Sequence, residues 1–269
     1  RDRIADVGSI APDVMFVAAG DFACDLVHDG VAAGGIAPTP LGALAVAGIP
    51  AKGLTLEPSA EDDAGIVHDL GAGVVAVAAR YDVPRESCRE WATTLLSAVN
   101  PSRVVVLCAV DEHDVGYGVD GYRGSFVLDT AAQRCGIHSL SLSDDDDERS
   151  ARALPAGALI EGIAAAVAAR CEMTGVPARI VAVPAPSGTA GARGFGNGRH
   201  GGGPARRRRG IGPGFGGGVD GAAASHAVLL TQRACGIDFG VFGPSVHSVG
   251  ASSKKPTSAV VDDGMRVYT

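Results

Sequence analysis

Aromatic residues are scarce, at 4% of 269 positions with a single tryptophan. A core must therefore be built from Ala, Val, Leu and Ile. Hydrophobic residues at 46% and charged residues at 20% are ordinary for a globular chain, which excludes wholesale disorder. An excess of basic charge is also missing. Lys and Arg number 23 against 30 Asp and Glu, a formal charge of −7, which argues against nucleic acid as the main partner. No apolar run approaches the roughly 18 residues of a membrane-spanning helix. The chain starts at Arg1 without a Met or a basic-then-apolar leader, and so reads as a fragment or a processed form.

Paired cysteine motifs are absent as well. The cysteines stand at 24, 88, 108, 135, 171 and 235, none spaced C-x-x-C. Scattered single cysteines read as reduced core thiols of a cytosolic or nuclear protein. A zinc site would need clustered Cys and His, so no metal or other cofactor is expected.

The common catalytic signatures are missing too. Gly20 is followed by Asp21-Phe22-Ala23, which is no dinucleotide fingerprint. Neither a P-loop nor H-E-x-x-H occurs. Gly243-Pro244-Ser245-Val246-His247 lacks the second glycine of a nucleophile elbow. His28-Asp29, His68-Asp69 and His113-Asp114 are adjacent pairs, and adjacent residues rarely face one another, so they read as surface polar residues. Cys88 and Cys171 fall on apolar helix faces and read as packed thiols. No catalytic residue is assigned.

What is present is an alternation of strands and helices. Val14 to Ala19, closed by Gly20, is a short apolar run and reads as a buried strand. Residues 21–33 carry Phe22, Leu26 and Val27 at helical spacing, with Asp21 as N-cap. Residues 36–65 are Pro-, Gly- and Ala-rich and ambiguous. Val74 to Ala78 is a second strand. Residues 84–99 place Cys88, Trp91, Leu95, Leu96 and Val99 on one face of a helix that starts at Pro84 and stops at Asn100-Pro101. Val104 to Val110 is a third strand. This is a βαβ unit with parallel strands, and the lack of alternation says both faces are covered.

Residues 111–153 read as polar loop. The run Asp144 to Glu148 is best taken as a solvated loop, with Ser143 as an acid-directed phosphorylation site the less favoured reading. A helix follows over 157–174, carrying Leu159, Ile160, Ile163, Val167 and Cys171 and stopped by Gly175 and Pro177. Ala178 to Val183 is a fourth strand, ended by Pro184. Fifteen of the residues 187–221 are glycine, and Arg206 to Arg209 lie among them, so this reads as a disordered insertion. A last helix covers 225–235.

The expected architecture is a single α/β domain with a largely parallel central sheet flanked by helices. Its parts are a core over 1–186, the disordered Gly/Arg-rich insertion over 187–221, a last helical stretch over 222–242 and a flexible, extended tail over 243–269.

That tail ends Val267-Tyr268-Thr269, a hydrophobic–tyrosine–any ending, after Lys254-Lys255-Pro256. Extended, the stretch from Lys255 reaches about 45 Å. At this point the chain resembles the proteasome assembly chaperone 1 family. The resemblance rests on Asp13 to Gly20, on Val74 to Val83 with Glu90-Trp91 and Val104 to Val110, on Leu159 to Val167 with Cys171 and Val176 to Val183, and on Arg266 to Thr269. The 187–221 stretch is not part of that pattern.

The resemblance implies a non-catalytic chaperone of proteasome core-particle assembly in the cytoplasm or nucleus. It implies a heterodimer with proteasome assembly chaperone 2, seated on the outer face of the proteasome α-ring. It also implies that Val267, Tyr268 and the carboxylate of Thr269 enter a pocket between α subunits. Burying the tyrosine ring contributes about 1.5–3 kcal/mol. A charge-assisted bond to the carboxylate adds about 1.5–3 kcal/mol. Roughly 3–6 kcal/mol corresponds to millimolar down to tens of micromolar affinity. A tail of that strength needs the folded body and a second tail on the partner.

Two other readings compete. An enzyme, a hydrolase or transferase, would gather polar groups at the strand ends near Gly20, Arg80, Asp111 and Pro184. An RNA-binding factor would use Arg193-Gly194-Phe195-Gly196 and its neighbours, with an affinity that collapses as salt rises.

Overall fold

Valine-rich runs that never alternate with polar residues can only be strands covered on both faces. A computed structural model of the chain places them so. It describes residues 10–44, 46, 65–80, 83–116, 122–135, 151–186 and 219–236. Strand β1 is Val14–Ala19, β4 is Val74–Ala79, β5 is Arg103–Asp111 and β8 is Ala178–Ala185. β1 lies between β4 and β5, and β5 pairs with β8, all in parallel. These four strands form the centre of the sheet.

Outside that centre the expectation of a largely parallel sheet needs correction: the sheet is mixed. β2 (Thr39–Ala43) and β3 (Ile66–Gly71) add antiparallel strands beyond β4. β6 (Phe126–Asp129) is antiparallel to β8, and β7 (Arg152–Ala153) pairs in parallel with β6. The order is β2-β3-β4-β1-β5-β8-β6-β7. Residues 111–153 are therefore not all loop, since they also hold helix α3 (Ala131–Cys135). β6 escapes a pattern reading because it is short and only partly buried, and β7 because it is two exposed residues. β2 escapes it because its sequence Thr-Pro-Leu-Gly-Ala is loop-like in composition and largely exposed.

Helices close both faces. α2 (Arg85–Ala98) and α4 (Gly162–Thr174) bury Cys88, Trp91, Leu95, Ile163, Val167 and Cys171 on one side, against Met15, Val17, Val104 and Val106. α1 (Asp21–Ala33) and α5 (Gly221–Cys235) cover the other, where Leu26 and Ala227 meet Phe16, Val105 and Val181. Alternate residues of one strand thus feed two cores.

Several local boundaries differ from those expected. The Cys24 amide donates to the Gly20 carbonyl at 3.0 Å, so Gly20 holds the N-cap position and Asp21 lies in the first turn. α4 starts at Gly162, not 157, and Leu159 precedes it, 57% exposed. β8 runs through Pro184 to Ala185. The Val104 amide donates to Pro177 and the Glu112 amide to Ala185. That register turns the amide position of residue 184 toward β6, which has already ended opposite Ala182, so no ladder bond is lost. α5 begins at Gly221, with the Asp220 carboxylate accepting from the Ala222 amide at 2.8 Å. The described structure therefore resumes inside the 187–221 stretch.

The β3–β4 turn needs glycine. Gly73 has φ +75°, and a Cβ there would lie 2.7 Å from the Asp13 carboxylate.

Candidate functional site

The tail residues Val267, Tyr268 and Thr269 lie outside the described residues, as do Ser143, the acidic run and the arginine run. The site that geometry can address is the carboxyl end of the parallel strands. There β1 leads to α1 on one face and β4 leads to α2 on the other, the kind of divergence at which α/β sheets form crevices.

Of the residues named for that end, Gly20 and Arg80 come together: the Gly20 amide donates to the Ala79 carbonyl at 2.9 Å. Asp111 is the last residue of β5 and Pro184 the penultimate residue of β8. The Asp111 carboxylate accepts from the His113 amide at 2.9 Å and closes its own turn. Pro184 is buried within β8. Arg80 donates to the Asp25 carboxylate at 2.7 Å. Burial alone would lower the Arg80 pKa, but the hydrogen bond and charge of Asp25 outweigh it and raise it. Both side chains are well exposed, so the pair contributes little stability. Beside them the Cys24 thiol donates to the Ala18 carbonyl. Burial pushes its pKa up to about 12, which makes it a poor nucleophile. The crevice therefore offers a guanidinium already engaged by a carboxylate.

The other cysteines follow the packed-thiol reading with one correction. Cys24, Cys88, Cys108, Cys171 and Cys235 are buried and Cys135 is exposed. Burial raises Cys108, Cys171 and Cys235 to about 12. A thiol reagent is expected to label one of six cysteines in the native protein, Cys135, and all six in denaturant. Counting labels by mass spectrometry checks this, and rapid native labelling of several would contradict it. Among the described residues no group of three or more His, Cys, Asp or Glu could hold a metal ion. No described helix is long and apolar enough to cross a membrane.

His68 on β3 stands opposite Ala76 of β4 and Pro40 of β2. Its Nδ1 is buried with no hydrogen-bond partner among the described residues, and burial lowers its pKa. The unfolded chain then binds the extra proton first, so stability falls as pH drops below about 6.5 and on toward the lower folded value. Denaturant melts from pH 7.5 to 5 are expected to show this slope, and His68→Leu is expected to flatten it.

A further cluster lies where the sequence reading saw only loop. The Ser125 amide donates to His226 Nδ1 at 2.9 Å, and the Ser125 hydroxyl to the Ala223 carbonyl at 2.7 Å. Tyr122 donates to the Ser125 carbonyl at 2.6 Å and accepts from the Arg152 amide at 3.2 Å. The Arg152 guanidinium lies 4.4 Å from the Tyr122 ring centroid. Burial raises the Tyr122 pKa, with the Arg152 amide and charge opposing. No short-range pattern could reveal contacts between residues 101 apart.

A groove of about 370 Å³ separates the first turns of α2 and α4, lined by Arg85, Arg89, Glu161 and small residues. Arg85 and Glu161 bridge it at 2.7 Å.

No family model matches the sequence, and no curated protein matches it. Solved structures do match. Pyrococcus furiosus PbaA, described as an archaeal homolog of proteasome-assembly chaperone, superposes with a TM-score of 0.51 over 89% of this chain and 86% of its own, at 13% identity. The chain has that protein's fold. Pyrococcus furiosus PbaB, described as an archaeal proteasome activator, gives 0.46 over 88% and 87% at 10% identity. Arabidopsis thaliana 5'-methylthioadenosine nucleosidase gives 0.39 over 66% and 82% at 11% identity. The last two scores are too low to carry an argument. The likeness to PbaA establishes the architecture.

Proposed function

We propose that the chain is a chaperone for assembly of the proteasome core particle, acting without catalysis. In this reading it pairs with proteasome assembly chaperone 2 and sits on the α-ring. Val267, Tyr268 and the Thr269 carboxylate anchor it between α subunits. The observation that carries the reading is the likeness to PbaA across most of both chains. The stretches that carry the sequence resemblance coincide with β1, with β4, α2 and β5, and with α4 and β8.

The physical logic is one of several weak contacts. A chaperone must leave once the ring is complete, so the tail, the folded body and the partner's tail each contribute modestly and act together through effective concentration. The test is co-expression with the partner followed by native electrophoresis with isolated α-rings. Co-migration of both chains with the ring is the expected result. A chain that forms no pair and leaves the ring's mobility unchanged would overturn the proposal.

A further inference from the structure

We propose that the groove between α2 and α4 binds a short acidic peptide segment of another protein, held through its carboxylates by Arg85 and Arg89. The site goes beyond the chaperone reading and does not rest on it.

The first sign is charge placed against local preference. Arg85 opens α2, where the helix dipole disfavours a cation. Arg89 follows four residues later, and like charges at that spacing repel. Both line the same groove, on a chain whose net charge is −7. Local rules broken together in one place are a mark of functional ground.

The two guanidiniums are also available. Arg85 bridges Glu161, but the two side chains are 79% and 47% exposed, so little is lost when that bridge opens. No ion pair joins Arg89 to a described carboxylate, Glu86 and Glu90 on its own helix included. One turn beyond the groove, Arg170 continues the stripe of Gly162 and Ala166 along α4. Its Nε is buried with no hydrogen-bond partner among the described residues. Three arginines thus share one engaged carboxylate, and the face is short of negative charge.

Shape and spacing select the occupant. A volume of about 370 Å³ takes a few side chains rather than a folded element. Between the charges the lining is small, with Gly162, Ala165 and Ala166. Arg85 and Arg89 are about 6 Å apart along the helix axis. In an extended peptide, side chains two residues apart share a face at a spacing of about 6.6 Å. Acidic residues at i and i+2 therefore meet the two guanidiniums in step, and the forked donors of arginine match carboxylate geometry. No aromatic ring lines the groove for a base to stack on, which favours a peptide over RNA.

An amide NMR titration of the full chain with the blocked peptide Ala-Glu-Ala-Glu-Ala, at low salt, tests this. The Arg89, Gly162 and Ala166 amides are expected to shift, while the Val181 amide in β8 stays in place. The blocked peptide Ala-Gln-Ala-Gln-Ala should shift none of them. Arg89 is exposed, and Arg89→Gln should weaken binding about tenfold or more through loss of a charge-assisted bond. Glu161→Gln should tighten binding, because it frees Arg85. Arg134→Gln, which removes the same charge from exposed α3 surface, should leave it unchanged. Silent groove amides at saturating peptide, equal shifts with the glutamine peptide, an equal loss in Arg134→Gln, or tighter binding of oligouridine at the same amides would each overturn the proposal.

Discussion

Asp129→Ala is expected to destabilise the protein by about 3–5 kcal/mol. Arg179 sits on β8 directly opposite Asp129 on β6. Its Nε and Nη2 each donate to one carboxylate oxygen at 2.7 Å. Only 7% of the Arg179 side chain and 19% of the Asp129 side chain reach solvent. This is the bidentate geometry that guanidinium and carboxylate favour. Removing the carboxylate strands a guanidinium where water cannot solvate it, and that cost exceeds the net contribution of the pair itself. The double variant Asp129→Leu with Arg179→Met should therefore recover most of the loss. Denaturant unfolding of the single and double variants checks both. A single variant within about 1 kcal/mol of wild type would place the pair among solvated surface bridges.

Trp91→Ala should cost about 3–5 kcal/mol, seen calorimetrically as a Tm lower by roughly 6–20 °C. Trp91 has no solvent exposure and lies in the core beneath α2. A Cβ on Gly65 would stand 3.4 Å from its ring and 3.3 Å from Leu44. The indole therefore also supports the approach to β3, and its loss opens a cavity under two layers of structure. Trp91→Phe should lose less, because part of the volume is kept. Equal losses for the two variants would contradict the cavity account.

These two sites illustrate what the sequence could and could not disclose. Trp91 lies at helical spacing with Cys88 and Leu95, and α2 was legible because a single face of it is buried. β1, β4, β5 and β8 were legible because burial on both faces leaves no polar position to disguise them. Asp129 was not. Its strand is four residues long, half-exposed and surrounded by polar sequence, and only tertiary pairing with β8 makes it a strand. β2 was hidden by Pro40 and Gly42. The Ser125–His226 contact joins distant segments and has no local signature. At the strand ends, Gly20, Arg80, Asp111 and Pro184 were legible as positions at or beside the carboxyl ends of β1, β4, β5 and β8, because an apolar run marks where a buried strand stops. The tail was read from side-chain chemistry and from the family resemblance, and folding of the core does not bear on it.

The tail is also where the account is most exposed. The chain would be compared with a version lacking Val267, Tyr268 and Thr269, each co-expressed with the partner and titrated against isolated α-rings on native gels. The tail's roughly 3–6 kcal/mol predicts that truncation weakens ring binding about a hundredfold or more while the pair of chaperones stays intact. Equal binding by both versions would move the anchor to the folded body. Failure of the intact pair to bind the ring at all would contradict the chaperone account itself.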